Sequence, residues 1–310
     1  MTLLRRIAVR LGTGLIVLWG AATLTFLAMH ATDSDPAIAI LGGPDALPTA
    51  AVVAQVRKDY GLDDPLPVQY GRYIARLASG DLGESYRLRV PVAEAIGEQL
   101  GATLTLASWA AAVAMAIALV AAGLTAGRGR WLQGSVSSAE IVLISVPNFV
   151  IGLGLIFLLS FVFRLLPVAG GEGWRSLVMP VLTLAIPSGA MLAQVLRGEL
   201  NQILEQPFIV TARARGLSEA GVRLGHALRH ALIPVLTLGG YLYGFLLGGT
   251  VVTETLFAQR GIGRLMVDSA IMSDVPVVTG IALLAAVSYV LVTFAVDVLN
   301  AIVDPRVAPA

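Results

Sequence analysis

The chain has no cysteine among its 310 residues. Disulfides, thiolate metal sites and cysteine nucleophiles are therefore excluded. It has one lysine, Lys58, in the context Q-V-R-K-D, so the G-x-x-x-x-G-K-[ST] phosphate loop is absent. Any ATP hydrolysis must belong to another chain. Charge is also scarce. Asp, Glu, Lys and Arg make up 13% of the residues, about half the usual share of roughly 25%. The net charge of +1 gives no sign of nucleic-acid binding. Hydrophobic residues make up 56%, and the mean hydropathy is +0.81. A water-soluble domain could not bury that much apolar surface, so the solvent for much of the chain is lipid.

The charges that exist are segregated. Six windows hold none: 11–32, 99–127, 141–163, 176–196, 230–253 and 275–296. A spanning helix needs about 20 apolar residues to cross roughly 30 Å of hydrocarbon, and every window is long enough. No alternating pattern of a barrel strand is present. The expected fold is an all-α polytopic membrane protein with six transmembrane helices. The apolar run after Arg5, Arg6 and Arg10 is too long for a signal h-region and lacks an A-x-A site, so it reads as an uncleaved first span. With the N-terminus inside, the inner segments hold eleven Lys and Arg and the short outer loops four, Arg164, Arg175, Arg260 and Arg264. That bias predicts both termini in the cytoplasm. The expected layout is residues 1–30 as N-terminus and first helix, 31–98 as an outer segment, 99–303 as the core of helices 2–6, and 304–310 as a cytoplasmic tail. The outer segment should carry a helix after Pro48 closed by Gly61, and a second from about Val68 to Ser79.

The inner loop, 197–232, is unusually organised. Pro207 suits a first helical turn. Gly216 can take a helix-ending left-handed conformation, and Ser218 can cap a following helix. Pro234 should mark the start of the fifth span. Two short helices with a tight bend are expected, with Phe208, Ile209 and Ala212 as the apolar face of the first. A short helix held between two spans is a lever, and its natural partner is a groove on a cytoplasmic protein.

T-A-R-A-R-G-L-S (211–218), followed by H-A-L-R-H-A-L-I-P-V-L-T (226–237), resembles the coupling loop of permease subunits of binding-protein-dependent ABC importers, in the dipeptide, oligopeptide and nickel group. Y-G-L-D-D-P-L-P-V-Q-Y (60–70), G-D-L-G-E-S (80–85), G-G-T-V-V-T-E-T-L-F (248–257), G-I-G (261–263), D-V-P (274–276) and D-P-R (304–306) extend the likeness in the same order along the chain. The motif's usual Glu is missing, since Val210 and Thr211 precede Ala212. The resemblance implies a type I importer membrane domain in the bacterial inner membrane, delivering peptides or, alternatively, nickel or metal chelates. It implies no catalytic residue and no cofactor in this chain, with ATP-Mg held by partner ATPase subunits. Its implied partners are a second homologous permease, cytoplasmic ABC ATPases, an extracytoplasmic solute-binding protein and membrane lipid. Ala212, Arg213, Arg215, Gly216, Leu217 and Ser218 are the implied ATPase-coupling residues.

Gly240, Gly244 and Gly248 form a small-residue ridge on the fifth span. It serves either helix packing or the translocation path at a subunit interface. Glu254, just past that window, is either a solvated loop residue or a gate facing the substrate. Glu140 and Asp297 are edge residues suited to capping or pairing with Arg. Pro147 and Pro187 should kink their spans. His226 and His230 lie four apart, but Ala227 replaces the Glu of H-E-x-x-H and no third ligand is near, so no metal site is expected. Uncharged span centres argue against a stand-alone secondary transporter. The absence of a Ser–His or Asp–Asp arrangement at depth argues against an intramembrane protease.

Overall fold

The computed structural model describes residues 3–31, 36–41, 48–170 and 173–303. The D-P-R motif and the 304–310 tail lie outside them. The described residues are helical, with one isolated bridge between Glu84 and Pro91. In chain order the helices are α1 (Leu3–Ala31), α2 (Pro36–Ile40), α3 (Ala50–Tyr60), α4 (Leu66–Ala78), α5 (Val92–Thr125), α6 (Arg130–Ser145), α7 (Asn148–Leu155), α8 (Trp174–Leu204), α9 (Pro207–Ala214), α10 (Glu219–Gly221), α11 (Leu228–Leu256), α12 (Ile262–Ile271) and α13 (Val275–Val303). α7 continues as a π-helix, Ile156–Val162, and a second π-helix, Val222–Ala227, joins α10 to α11.

Among the described residues, each of the six charge-free windows falls mainly on helix. Four helices are long and apolar enough to cross a bilayer: Val92–Thr125, Trp174–Leu204, the continuous Glu219–Leu256, and Val275–Val296 within α13. α1 contributes a shorter apolar run, Gly12–Ala28. The third window differs from its expectation. The chain turns by 101° between α6 and the α7 rod. Pro147 explains the break, because it has no N–H to donate and disfavours helix at Val146, which is extended at φ −78°, ψ 128°. Pro187, by contrast, sits inside the unbroken α8 together with Pro180. Pro234 also lies inside a helix, α11, rather than at its start.

The chain divides into two compact units. One comprises residues up to Thr103 with Arg260–Val290; the other comprises Leu104–Gln259 with the residues from Leu291 on. In the first, α3 ends as the sequence predicts. Gly61 adopts φ +61°, and Leu62 N–H donates to the Arg57 carbonyl at 2.9 Å. Arg72 then pairs with Asp64 at 2.6 Å, and Gln69 Nε2 donates to the carbonyls of Leu62 and Asp64, so the Pro-rich turn is stapled. α4 packs on α1 through Phe26 against Tyr70 and Tyr73, and the Tyr70 hydroxyl meets Thr23 Oγ1 at 2.7 Å.

The second unit is built on α8. Its buried face, with Leu192, Ala193, Leu196 and Leu200, packs with the alanine stripe Ala114, Ala118, Ala122 and Ala126 along and just past α5, and with Ala227, Ala231 and Val235 of the continuous Glu219–Leu256 helix. Alanines at spacing four let helix backbones approach closely. Gly189 of α8 faces that stripe, since a Cβ there would lie 2.9 Å from Ile117 and 3.0 Å from the Ala114 carbonyl oxygen. α6 is attached differently. Among its described residues only Glu140 is buried, so its hold on α8 is polar rather than apolar.

Candidate functional site

The loop 197–232 holds a short helix whose ends are fixed by local chemistry. α9 begins at Pro207 and lasts eight residues. At its end Gly216 adopts φ +82°. Gly216 N–H donates to the Arg213 carbonyl at 2.9 Å, and Leu217 N–H to the Ala212 carbonyl at 3.4 Å. This pair of bonds is a Schellman motif. Ser218 then caps the next helix, its Oγ accepting from Gly221 N–H at 3.2 Å. Five of the six expected coupling residues therefore build the turn itself: Ala212 and Arg213 supply carbonyls, and Gly216, Leu217 and Ser218 make the reversal. Beyond the turn no separate short helix forms. The chain runs straight through the π-helical stretch into the fifth span.

The lever has an attached face and an open face. Ile209 and Ala212 are buried in the α8–α11 core. Phe208, expected with them, is exposed instead and meets the His230 ring edge-on, with centroids 5.4 Å apart. Phe208, Val210, Arg213, Arg215 and Leu217 all lie on the open side. Arg213 bridges the turn to Glu219 through Nε at 2.8 Å and Nη2 at 3.3 Å. That hydrogen bond lowers the Glu219 carboxyl below its ordinary pKa and raises that of Arg213. Arg223 lies 3.8 Å from Glu219 on the other side. A Cβ at Gly127, which has φ +63°, would lie 3.4 Å from Arg223 Nη2 and 3.0 Å from Leu204. Leu204 and Arg223, which flank the lever on either side in sequence, thus pack against the short connection between α5 and α6.

Behind the lever lies a polar joint that the sequence did not reveal as one. Arg197 of α8 is buried and donates through Nη2 to Glu140 of α6, and through Nη1 to Thr125 Oγ1 of α5 at 3.2 Å. Asn201, one turn along α8, accepts from Gly127 N–H at 2.8 Å and donates to Gln133 of α6 at 3.1 Å. Glu140 was expected to cap or to pair with Arg, and it pairs. The available signal is its place directly before one charge-free window, with Arg197 directly after the next.

The remaining candidates sort as follows. A Cβ on Gly240 would collide with Val296 of α13 in this same chain, and one on Gly244 would lie 3.2 Å from Val292. These two glycines serve packing within the chain. Gly248 has nothing within 4 Å of its Cβ position and stays open. Glu254 is 0% exposed and lies within α11, so it is not a solvated loop residue. His226 and His230 are exposed, and no cluster of three metal-ligating groups occurs among the described residues.

In the first unit three of the sequence motifs come together. Asp274, of D-V-P, is 1% exposed. It accepts from Ser85 Oγ at 2.5 Å, Tyr86 N–H at 3.2 Å and Arg87 N–H at 3.2 Å, next to G-D-L-G-E-S. Ile262, of G-I-G, donates its N–H to Thr103 Oγ1 at 2.9 Å. Burial pushes the neighbouring Tyr86 hydroxyl up to about 12.

A short helix held between two long apolar helices, in a chain with several helices long and apolar enough to cross a bilayer, defines a polytopic membrane protein. The chain belongs to the family of binding-protein-dependent transport system inner membrane components, whose pattern it matches over residues 114–309, with the family's N-terminal membrane component over residues 3–107. It is a multi-pass membrane protein and a non-catalytic subunit of a binding-protein-dependent ABC importer, a class that works with ATPase and solute-binding partners. Among its relatives is the glutathione transport system permease protein GsiC of Salmonella paratyphi A, 39% identical over 92% of this chain and 93% of that one. GsiC of Escherichia coli O6:H1 is 38% identical over 95% and 96%. A protein of Brucella abortus named as a peptide transport system permease is 38% identical over 98% of each chain. The crystal structure of an amino acid ABC transporter with histidines shares the fold, with a TM-score of 0.50 at 19% identity, over 68% of this chain and 94% of that one.

Proposed function

We propose that this chain is one of two related permeases that together form the path of an ATP-driven importer of short peptides, with glutathione as a representative cargo. The relatives named for glutathione and peptide transport support the cargo class. The single observation that carries the mechanism is the lever: α9, rigidly ended at Gly216 and Ser218, attached by Ile209 and Ala212, and open on its other face. In this reading both termini and the lever face the cytoplasm, and residues 31–98 face outward. Ala212, Arg213, Arg215, Gly216, Leu217 and Ser218 form the contact region for an ATPase subunit that holds ATP and magnesium. Closure of the two ATPases moves α9, and the joint at Thr125, Glu140 and Arg197 passes the motion to α5, α6 and α8. ATP binding then biases a two-state bundle through contacts that differ between its inward- and outward-facing forms. Gly248 belongs to the open surface of the path or of the subunit interface, and Glu254 stabilises the outer end of α11. A nickel or chelate cargo would use the same machinery, and no observation favours it.

The test is reconstitution in proteoliposomes with the second permease, the ATPases and the solute-binding protein. The full set should accumulate labelled glutathione or dipeptide only with ATP, and this chain alone should neither hydrolyse ATP nor transport. Uptake by the isolated chain on an ion gradient would overturn the reading.

A further inference from the structure

We propose that two turns of the first unit, Ser85–Arg89 and Ile271–Asp274, form a docking platform for the solute-binding protein, with Leu88, Ile271 and Met272 as its apolar anchors and Asp274 as the residue that holds its shape. The inference rests on the reading above that places residues 31–98 and the loop before α13 on the outer face.

The two turns are far apart in sequence and pinned together. Asp274 is buried and takes three donors from residues 85–87, and Arg87 Nε donates to the Met272 carbonyl at 3.1 Å. Each turn is also fixed internally. Leu88 N–H donates to Ser85 Oγ at 2.8 Å, Ser85 N–H to the Val90 carbonyl at 2.9 Å, and Asp274 N–H to the Ser269 carbonyl at 2.8 Å. Each carries a non-glycine residue in the left-handed region, Arg89 at φ +58° and Ser273 at φ +57°. Such strain persists only where the surroundings over-determine it, and it concentrates at functional sites.

This rigid frame displays apolar side chains rather than hiding them. Ile271 is 78% exposed, and Leu88 and Met272 are each 52% exposed. All three lie outside the charge-free windows, so the hydrocarbon core does not account for them. Apolar side chains dipping into lipid need no fixed backbone, whereas a protein partner gains affinity when the anchor is already in place. Arg87 and Arg89 flank Leu88, with Glu84 a few residues before them. The matching surface is therefore an apolar dent rimmed by carboxylates on a soluble outer protein. In a binding-protein-dependent system, that partner is the solute-binding protein.

The experiment uses the assembled complex in nanodiscs and the purified, ligand-loaded solute-binding protein of the same transport system, with affinity read by biolayer interferometry. The double variant Leu88→Ser, Met272→Ser should bind about tenfold more weakly or worse, as expected for loss of central anchors, and still assemble with its partners. Leu88→Met should retain affinity. Asp274→Asn should weaken binding by slowing association, because the platform is no longer held in place. Unchanged affinity in the double variant overturns the proposal. So does loss of permease pairing with affinity per complex intact, which would make the patch a permease interface. So does a change only in lipid dependence, which would make it a membrane contact. If the wild-type complex binds no solute-binding protein, the functional reading itself falls, and this inference falls with it.

Discussion

Glu140 and Asp274 are both buried carboxylates, one in each unit, and they are satisfied by different kinds of partner. Glu140 meets a single guanidinium, that of Arg197, and its other oxygen, Oε1, has no hydrogen-bond partner. Asp274 meets one hydroxyl and two backbone N–H groups. The first arrangement joins helices through side chains that can separate and re-form, while the second locks a loop by its main chain. A buried ion pair is weak support for stability, because desolvation of the two charges offsets their attraction, but losing one partner strands the other. α6, with one buried residue and a 101° turn at its end, is held at this pair and at the Gln133–Asn201 bond. α6 is thus joined to α8 by side chains, and the Asp274 turns are held through their main chain.

Breaking this contrast should cost most at the ion pair. Arg197→Ala leaves Glu140 buried and uncompensated, at about 3–5 kcal/mol, read as a lower thermal midpoint of the purified complex. Replacing both partners by apolar residues of similar volume should recover most of that stability while uncoupling ATP hydrolysis from uptake. Recovery of both would reduce the pair to packing. Asp274→Ala should cost about 1.5–3 kcal/mol, the worth of hydrogen bonds to a charged group, with hydrogen exchange rising at residues 85–88 and the α9 region unaffected. Gly240→Val forces a clash with Val296 and should destabilise by about 1–3 kcal/mol, whereas Gly248→Ala should stay within about 0.5 kcal/mol. The smallest effect is a pH effect at the lever. The Glu219 carboxyl is lowered by its bond from Arg213, so its contribution is complete above the ordinary carboxylate range and is lost as pH falls through the lowered value. Acidification should loosen the turn at 213–219, seen as faster exchange at Gly216 and Leu217, and Glu219→Gln should abolish that pH dependence.

What could be read in advance was local. Charge-free windows mark helices because lipid forbids uncompensated charge. Pro207, Gly216 and Ser218 mark the lever because capping chemistry needs only neighbours within a turn or so. Gly61 and the outer helices follow the same logic. What escaped was long-range. Glu140 and Arg197 are separated by 57 residues, and Ser85 and Asp274 by 189, so the sequence offers candidates for such pairs but not the pairing. Pro147 signals a break, but the size of the turn depends on where α6 is anchored on α8. Glu254 looks like an edge residue because it follows a charge-free window. It is buried because α11 runs on to Leu256, next to Phe257 in the Ile156–Met179 cluster. Pro234 looks like a helix start, yet the helix already exists upstream, beginning with α10 at the Ser218 cap and running on through the π-helical stretch.

The most direct measurement exploits the missing cysteine. Val210 is 61% exposed on the open face of α9, and Val210→Cys places one thiol there on an otherwise thiol-free chain. In inside-out vesicles, a membrane-impermeant maleimide should label position 210 quickly when this chain is present without ATPase subunits. Labelling should be slow once they are bound, and its rate should change again on adding ATP. A thiol that reacts equally fast in the chain alone and in a transport-competent complex would contradict the lever account.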